Sequence, residues 1–154
     1  MAINQNELVK AVGSSMYHQI KDKGYATAVD TLMDMHILSK QDYESWRNGR
    51  VPYLEKVCNI NLKKLDSVLK EMRRYADRNG LKPSFTCYKQ WGRKNKPTIK
   101  LRFSMTGNEY MEKLYATHYV RKASADENTD KEVILMTEVL MSIRLLMFMI
   151  MLIM

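Results

Sequence analysis

Apolar residues recur at steps of three and four positions along the first third of the chain, which places them on one face of a helix. This spacing predicts a first helix from Leu8 that ends at Gly24 and a second from near Thr27 to near His36. The inward positions of the two helices are Leu8, Val9, Val12, Met16, Ile20, Val29, Leu32 and Met33. The chain therefore begins as a helical protein.

Capping signals predict two further helices. Ser39 to Asp42 reads as a capping box that starts a helix running to Asn48. Pro52 fits the first position of a short helical turn, and Asn61 caps the clearest helix of the chain, which Gly80 closes. The apolar stripe of that helix is Leu62, Leu65, Leu69, Met72 and Ala76 or Tyr75.

The next segments are shorter and less regular. Ser84–Trp91 fits a helix capped by Ser84, which we favour, or a strand. Thr98–Ser104 alternates apolar and polar residues, as a half-buried strand does. Thr106–Glu109 reads as a second capping box, starting a helix that ends near His118. The predicted fold class is mainly α: a compact helical domain with a short β element and a separate C-terminal hydrophobic helix.

Three regions follow from composition: a basic helical domain (1–120), a polar linker (121–132) and a Met-rich hydrophobic tail helix (133–154). A tail helix of that length would reach about 33 Å, against about 30 Å for a bilayer core. Arg144 falls near its middle, where a charge opposes insertion. Three interpretations stay open: a membrane anchor, a helix packing on the domain or a second copy, and a C-terminus that is not native.

Few residues suggest catalysis or metal binding. The two cysteines, Cys58 and Cys87, fit no metal spacing, and we expect no disulfide. The three histidines are scattered, so neither catalytic residues nor metal ligands nor a cofactor is predicted. A catalytic site formed by His118 with Glu112 or Tyr119 stays open, but no sequence motif supports it. The N-terminus carries no secretion signal, so we expect a cytoplasmic protein, with membrane association through the tail left open.

Positive charge is concentrated in one segment. The chain has a net charge of +8, and residues 82–102 hold seven bases and no acid, interleaved with aromatic residues. Cations neutralise phosphates and aromatic rings stack on bases, so the segment indicates nucleic-acid binding. A solvated basic turn beside core aromatics would give the same pattern. The predicted contacts are Lys89, Trp91, Arg93, Lys94, Lys96, Lys100 and Arg102, with Arg47 and Arg50.

Two resemblances bear on this interpretation. Leu38–Val57, with Ser39, Trp46 and then Gly49 and Pro52, resembles part of the lambda-repressor-like helix-turn-helix family. That resemblance implies that Lys40, Gln41 and Arg47 reach bases or phosphates.

More broadly, Gly24–Val120 resembles a set of small bacterial proteins of unassigned function. The shared features are the run Leu38–Glu55, Trp91-Gly92, Arg102-Phe103-Ser104 and Tyr115–Val120. The resemblance implies one compact unit that ends near Val120, with the Met-rich tail outside it. It implies no activity.

The sequence thus predicts a small, basic, non-enzymatic protein that binds DNA or RNA. The alternative is a protein-interaction or adaptor domain that meets an acidic partner through its basic face. In that case the segment Val133–Met154 would hold it at a membrane or form a helix interface.

Overall fold

Helices dominate the chain, and a small antiparallel sheet joins them. The structure is a computed structural model that describes residues 3–123 and 125–153, with side chains for 3–123 and 131–153. Its helices are α1 (Gln5–Lys23), α2 (Ala28–Asp34), α3 (Lys40–Arg47), α4 (Leu62–Arg78), α5 (Glu109–Ala116) and α6 (Ala125–Ile153). Its strands are β1 (Tyr25–Thr27), β2 (Lys82–Phe85) and β3 (Thr117–Val120), and a short 3-10 helix spans Leu54–Val57. The predicted fold class, mainly α with a β element and a hydrophobic C-terminal helix, is confirmed.

The helix starts follow local capping chemistry. Thr27, Ser39 and Asn61 each accept the backbone N–H of the third residue on. The caps at Ser39 and Asn61 confirm the prediction, and for Thr27 the sequence predicted only a helix start nearby. The helix α1 begins earlier than its apolar spacing indicates. Asn4 and Glu7 form a reciprocal capping box there, with bonds of 2.8 and 3.1 Å between side chains and backbone amides.

The hydrophobic core of the first 121 residues lies between α1 and α4 and extends under α2 and α5. The predicted stripe of α4 is buried except at Leu62, which is 48% exposed because the first residue of the helix faces solvent. The fully buried large side chains include Leu8, Met16, Leu32, Trp46, Leu54, Leu65, Met72, Phe103 and Tyr115.

A buried polar network ties α1 to β1 and α2. The Gln19 amide donates to Ser15 Oγ at 3.0 Å and to Thr31 Oγ1 at 2.9 Å, and its oxygen accepts the Thr27 N–H at 2.9 Å. Buried polar groups are costly unless they are hydrogen-bonded, so a side chain with this many partners fixes how α1, β1 and α2 meet.

The three strands form an antiparallel sheet in the order β1, β3, β2. Thr27 lies opposite His118 in β3, and Ser84 of β2 lies opposite the same histidine on the other side. Because neighbouring residues of a strand point to opposite faces, Thr117 and Tyr119 lie on the other face of the sheet from His118. The two faces carry different chemistry, described below.

The segment Leu101–Met105 crosses the core without being a helix or strand, so other groups must satisfy its backbone. The carboxylate of Glu112 accepts the N–H groups of Phe103 and Ser104 at 3.0 and 2.8 Å, and the Ser104 hydroxyl at 2.7 Å. The Trp46 indole N–H donates to the Arg102 carbonyl at 2.9 Å. These bonds hold the segment against α3 and α5.

Two predicted elements between residues 84 and 104 are wrong. Ser84–Trp91 is not a helix: Lys82–Phe85 forms β2, and residues after it are irregular up to Trp91. Pro83 has no N–H to donate, which suits an edge strand, and pairing with β3 decides the conformation. Thr98–Ser104 is not a strand either, since only Lys100 forms a bridge before Leu101–Met105 turns to its side-chain partners.

Two other boundaries differ from the prediction, and two strands were not predicted. The helix α5 starts at Glu109 with Asn108 as its N-cap, so Thr106–Glu109 is not a capping box. Pro52 is not the first residue of the helical turn at Leu54–Val57, whose N-cap is Tyr53. Sequence spacing also missed β1 and β3, which are too short to show an alternation.

The chain divides into two compact units, residues 1–121 and 122–154. The second unit consists mainly of α6, which begins at Ala125. The segment 121–132, predicted to be a polar linker, is therefore helical from Ala125 onward. Among the described residues, one helix segment, Lys131–Ile153, has the length and composition to cross a membrane.

The carboxylate of Glu112 gives a test of this packing. Replacing Glu112 by Ala leaves two buried amides without acceptors, so we expect the free energy of unfolding to fall by about 2 to 4 kcal/mol. Urea unfolding followed by tryptophan fluorescence measures this in the first unit, which contains both tryptophans. The control Glu109→Ala, on the exposed start of the same helix, should change it by about 0.5 kcal/mol or less. Equal stability of the two variants would contradict the account.

Candidate functional site

The predicted basic residues lie on a loop that a short antiparallel pairing closes. Lys89 bridges to Lys100, and hydrogen bonds of 2.9 Å from Gln90 N to Ile99 O and 2.8 Å from Leu101 N to Tyr88 O flank the pair. Tyr88 and Leu101 are buried, so the lysines between them face solvent. We call residues 89–100 the basic loop.

The two lysines at the base of the loop stand at a position that brings like charges together. Because the flanking bonds join the neighbouring residues, Lys89 and Lys100 form a non-hydrogen-bonded pair, where antiparallel strands and their side chains come closest. Like charges directly opposite each other destabilise a strand pair. The four ion pairs among the described side chains involve none of the bases of the basic loop. The loop is thus a concentration of unneutralised positive charge.

Trp91 supplies an exposed ring at the start of this loop. The ring is 42% exposed, and its backbone N–H donates to the Arg47 carbonyl at 2.8 Å, which fixes it beside α3. The Arg47 guanidinium carbon lies 4.7 Å from the Trp91 ring centre, and the Tyr43 ring meets it edge-on at 5.8 Å. We call Tyr43, Arg47 and Trp91 the aromatic platform.

Arg47 is the central residue of the aromatic platform. Its guanidinium carbon also lies 5.2 Å from the ring centre of Tyr88, so the cation is held between two aromatic faces. Its Nε atom is buried and has no hydrogen-bond partner among the described residues. A buried donor without an acceptor costs free energy, and this atom is closed to solvent.

The other predicted residues differ in their exposure and in their contacts. Lys94, Lys96 and Lys100 are exposed on the basic loop, whereas Arg93 is half-buried and donates through Nε to the Pro97 carbonyl at 2.8 Å, which shapes the loop. Arg50 is exposed just after α3.

Arg102 is engaged elsewhere. It donates to the Met105 carbonyl at 2.9 Å, and its guanidinium carbon lies 5.3 Å from the ring centre of Tyr53. The structure therefore joins Arg47 to Trp91 directly, while Arg102 is bound to other residues.

The sequence showed Tyr88 among the aromatic residues interleaved with the bases, but it did not identify it as the support of the platform. Tyr88 is buried and packs on Trp46 and Phe103, with ring centres 5.7 and 5.2 Å away. Tyr43 was missed as well. Its place four residues before Arg47 puts both on one face of α3, a signal that was legible in the sequence.

His118 lies in an aromatic cluster on one face of the sheet. Its Nε2 is 3.0 Å from the Tyr88 hydroxyl, and its ring stacks on Tyr25 with centres 5.6 Å apart. Glu112 is occupied by Phe103 and Ser104, and Tyr119 lies on the opposite face of the sheet. The structure therefore does not assemble the enzyme site considered for His118 with Glu112 or Tyr119.

The turn before α3 bears on the helix-turn-helix resemblance. The helices α2 and α3 are separated by residues 35–39, and His36 adopts φ of 58° there, a conformation that favours glycine. Lys40 and Gln41 are exposed at the start of α3, and Arg47 is held in the platform. The resemblance to that family stays a prediction.

The comparisons with known proteins add no constraint. No protein-family model matches the chain, and no curated protein or solved structure is significantly similar to it. Among the residues that the structure describes, no group of three or more His, Cys, Asp or Glu side chains is placed to hold a metal ion. The basic loop and the aromatic platform are therefore the features that bear on function.

The surroundings of His118 give a pH test. Partial burial, and then the nearby positive charge of Lys23, lower the pKa of His118 below its usual 6.5, and Asp30 opposes them more weakly. The folded state therefore binds this proton less readily than the unfolded chain. Its contribution makes the protein more stable as pH rises through the folded pKa toward 6.5, and less stable as pH falls over the same window.

Nuclear magnetic resonance titration of the His118 ring measures that pKa. We expect a value below 6.5 in the native chain and a higher value in Lys23→Gln, which removes the repelling cation and frees Asp30 from its ion pair with Lys23. The exposed Lys10→Gln, on α1 like Lys23, serves as the charge-matched control. A His118 pKa that stays the same or falls in Lys23→Gln would contradict the placement of these charges.

Proposed function

We propose that the first unit binds single-stranded nucleic acid, without catalysis, through the basic loop and the aromatic platform. The observation that carries the proposal is the Lys89–Lys100 pair beside an exposed Trp91, on a loop whose bases have no carboxylate partner among the described side chains. A polyphosphate supplies the missing negative charge along a line, and each neutralised phosphate releases counterions.

Stacking on Trp91 distinguishes this proposal from simple attraction to polyanions. Arg47 lies over the indole ring and Tyr43 makes a T-shaped contact with it, so the ring is held while 42% of the residue stays exposed. Base stacking on such a ring contributes about 1 to 3 kcal/mol and tolerates any base. A single strand offers its base faces freely, whereas a duplex does not.

A second candidate activity concerns α6: it associates the protein with a membrane. The side chains of Val133, Ile134, Leu135 and Met136 and most of those that follow are exposed, on every side of a 23-residue segment. Glu138 and Arg144 interrupt this segment, but its apolar side chains point in all directions, as in a helix that is buried in protein or in lipid. Its length of about 34 Å spans a bilayer core of about 30 Å.

Salt dependence tests the nucleic-acid proposal. We expect fluorescence anisotropy of the full chain, in non-ionic detergent, to give tight binding of a labelled oligothymidylate at about 50 mM salt that weakens steeply toward about 200 mM. Replacing Arg93, Lys94 and Lys96 by Gln should lower the slope of log K against log salt by about 2, since each phosphate contact of a single strand contributes about 0.7.

The control replaces Lys10, Lys21 and Lys63 by Gln, three exposed bases outside the basic loop with the same total charge change. It should keep the native slope. Trp91→Ala should weaken binding by about 1 to 3 kcal/mol and leave the slope nearly unchanged, because it removes stacking and no charge. Equal losses in the two triple variants, or no binding at low salt, would contradict the proposal and favour an acidic protein partner.

Membrane association is tested by fractionation of cells that express the full chain. We expect the protein to stay with the membranes after an alkaline wash, and Leu146→Arg to release it, because a second arginine beside Arg144 adds a further cost of about 2.5 to 3.5 kcal/mol. Leu62→Arg, the same change at an exposed position of α4, should leave the distribution unchanged. Native protein found in the soluble fraction would refute the membrane role of α6.

A further inference from the structure

A cleft opens on the face of the sheet opposite His118. Its volume is about 360 Å³, and it lies between the C-terminal half of α4, the helix α5 and the strands β2 and β3. Pro83, Phe85, Thr117 and Tyr119 line it, all from one face of the sheet, as the strand register requires. Small-molecule sites have volumes of about 300 to 1,000 Å³, so a compact ligand fits.

Exposed aromatic rings border this cleft. Phe85 is 59% exposed and Tyr110 is 56% exposed, and both line it. With Leu81 and Leu114 they form an apolar wall. Large aromatic side chains left in water on two sides of one cavity are typical of a surface that an apolar group covers.

The charges around the cleft favour an anion. Arg73 and Lys113 line it, and neither forms an ion pair with a described carboxylate, whereas Arg74 and Arg78 on the same helix as Arg73 both pair with the buried Glu71. Lys113 Nζ lies 4.6 Å from the ring centre of Phe85, so its charge stands beside the apolar wall.

The remaining polar groups refine that picture. Asp77 is the acid of the lining, and against it the two bases leave a net positive charge. Tyr119 is 6% exposed, and its hydroxyl donates to no described side chain or carbonyl, which leaves it for a ligand in the cleft. The Tyr119 hydroxyl is not one of the fully buried atoms without a partner, so a ligand in the cleft can reach it.

We infer that this cleft binds a small amphipathic carboxylate, with its ring or short chain against Phe85, Tyr110 and Leu114 and its carboxylate between Arg73 and Lys113. The Tyr119 hydroxyl at the floor donates a further hydrogen bond to it. This site lies on the other face of the sheet from the His118 cluster. It does not depend on the proposed nucleic-acid binding, and it adds a small-molecule ligand to the same unit.

The test is a nuclear magnetic resonance titration of the ¹⁵N-labelled full chain, in non-ionic detergent, with 3-phenylpropionate up to about 10 mM, a range that suits the affinity expected for a ligand of this size. We expect saturable shifts at Thr117, Tyr119 and the neighbouring part of α5. The neutral alcohol 3-phenylpropanol, with the same ring, should bind about tenfold more weakly, because it lacks the charge that Arg73 and Lys113 recognise.

Variants separate the proposed site from a general apolar surface. The double variant Arg73→Gln with Lys113→Gln should weaken the acid about tenfold or more and leave the alcohol unchanged. Lys10→Gln with Lys63→Gln, two exposed bases outside the cleft, is the charge-matched control. All four changed positions are exposed, so the native spectrum should persist. Absence of saturable shifts, equal affinity for acid and alcohol, or undiminished binding in the Arg73/Lys113 variant would overturn the inference.

Discussion

The bonds that Glu112 makes to the backbone of Phe103 and Ser104 are the constraint on which the first unit depends. They allow an irregular segment to pass through the core, with Trp46 satisfying the Arg102 carbonyl from the other side. Phe103 then completes a stack of rings that joins α3, the base of the basic loop and α5. The basic loop is therefore anchored at its return end by core contacts, and its exposed residues are displayed on a rigid base.

The surface that results combines features that oppose stability in the free protein. Lys89 and Lys100 repel each other at a closest cross-strand position, the Arg47 Nε has no acceptor among the described residues, and Trp91 is exposed. A single strand of nucleic acid would relieve the first and the last of these, by supplying negative charge and a base to stack. The apolar side chains of α6 are likewise exposed to water, and lipid would cover them.

Sequence patterns predicted the elements that depend on interactions between neighbouring residues. The helices α1 to α4 and the caps Ser39 and Asn61 were predicted, because caps and helices depend on neighbours in the chain. The strands were missed because β1 and β3 have three and four residues and exist through pairing between distant segments. The irregular path of Leu101–Met105 depends on Glu112, a partner that no local pattern reveals.

The site divides in the same way. Charge is a property of composition, so the bases of the basic loop were predicted. The contact of Arg47 with Trp91 and the cleft between α4, α5 and the sheet depend on residues distant in the sequence, so they were not predicted.

The most direct test of the central claim is photo-crosslinking of the full chain to a bromodeoxyuridine oligonucleotide, with the linked residues identified by mass spectrometry. The account predicts crosslinks at Trp91 and Tyr43. Crosslinks confined to other aromatic residues, such as Tyr17 or Tyr110, would contradict it.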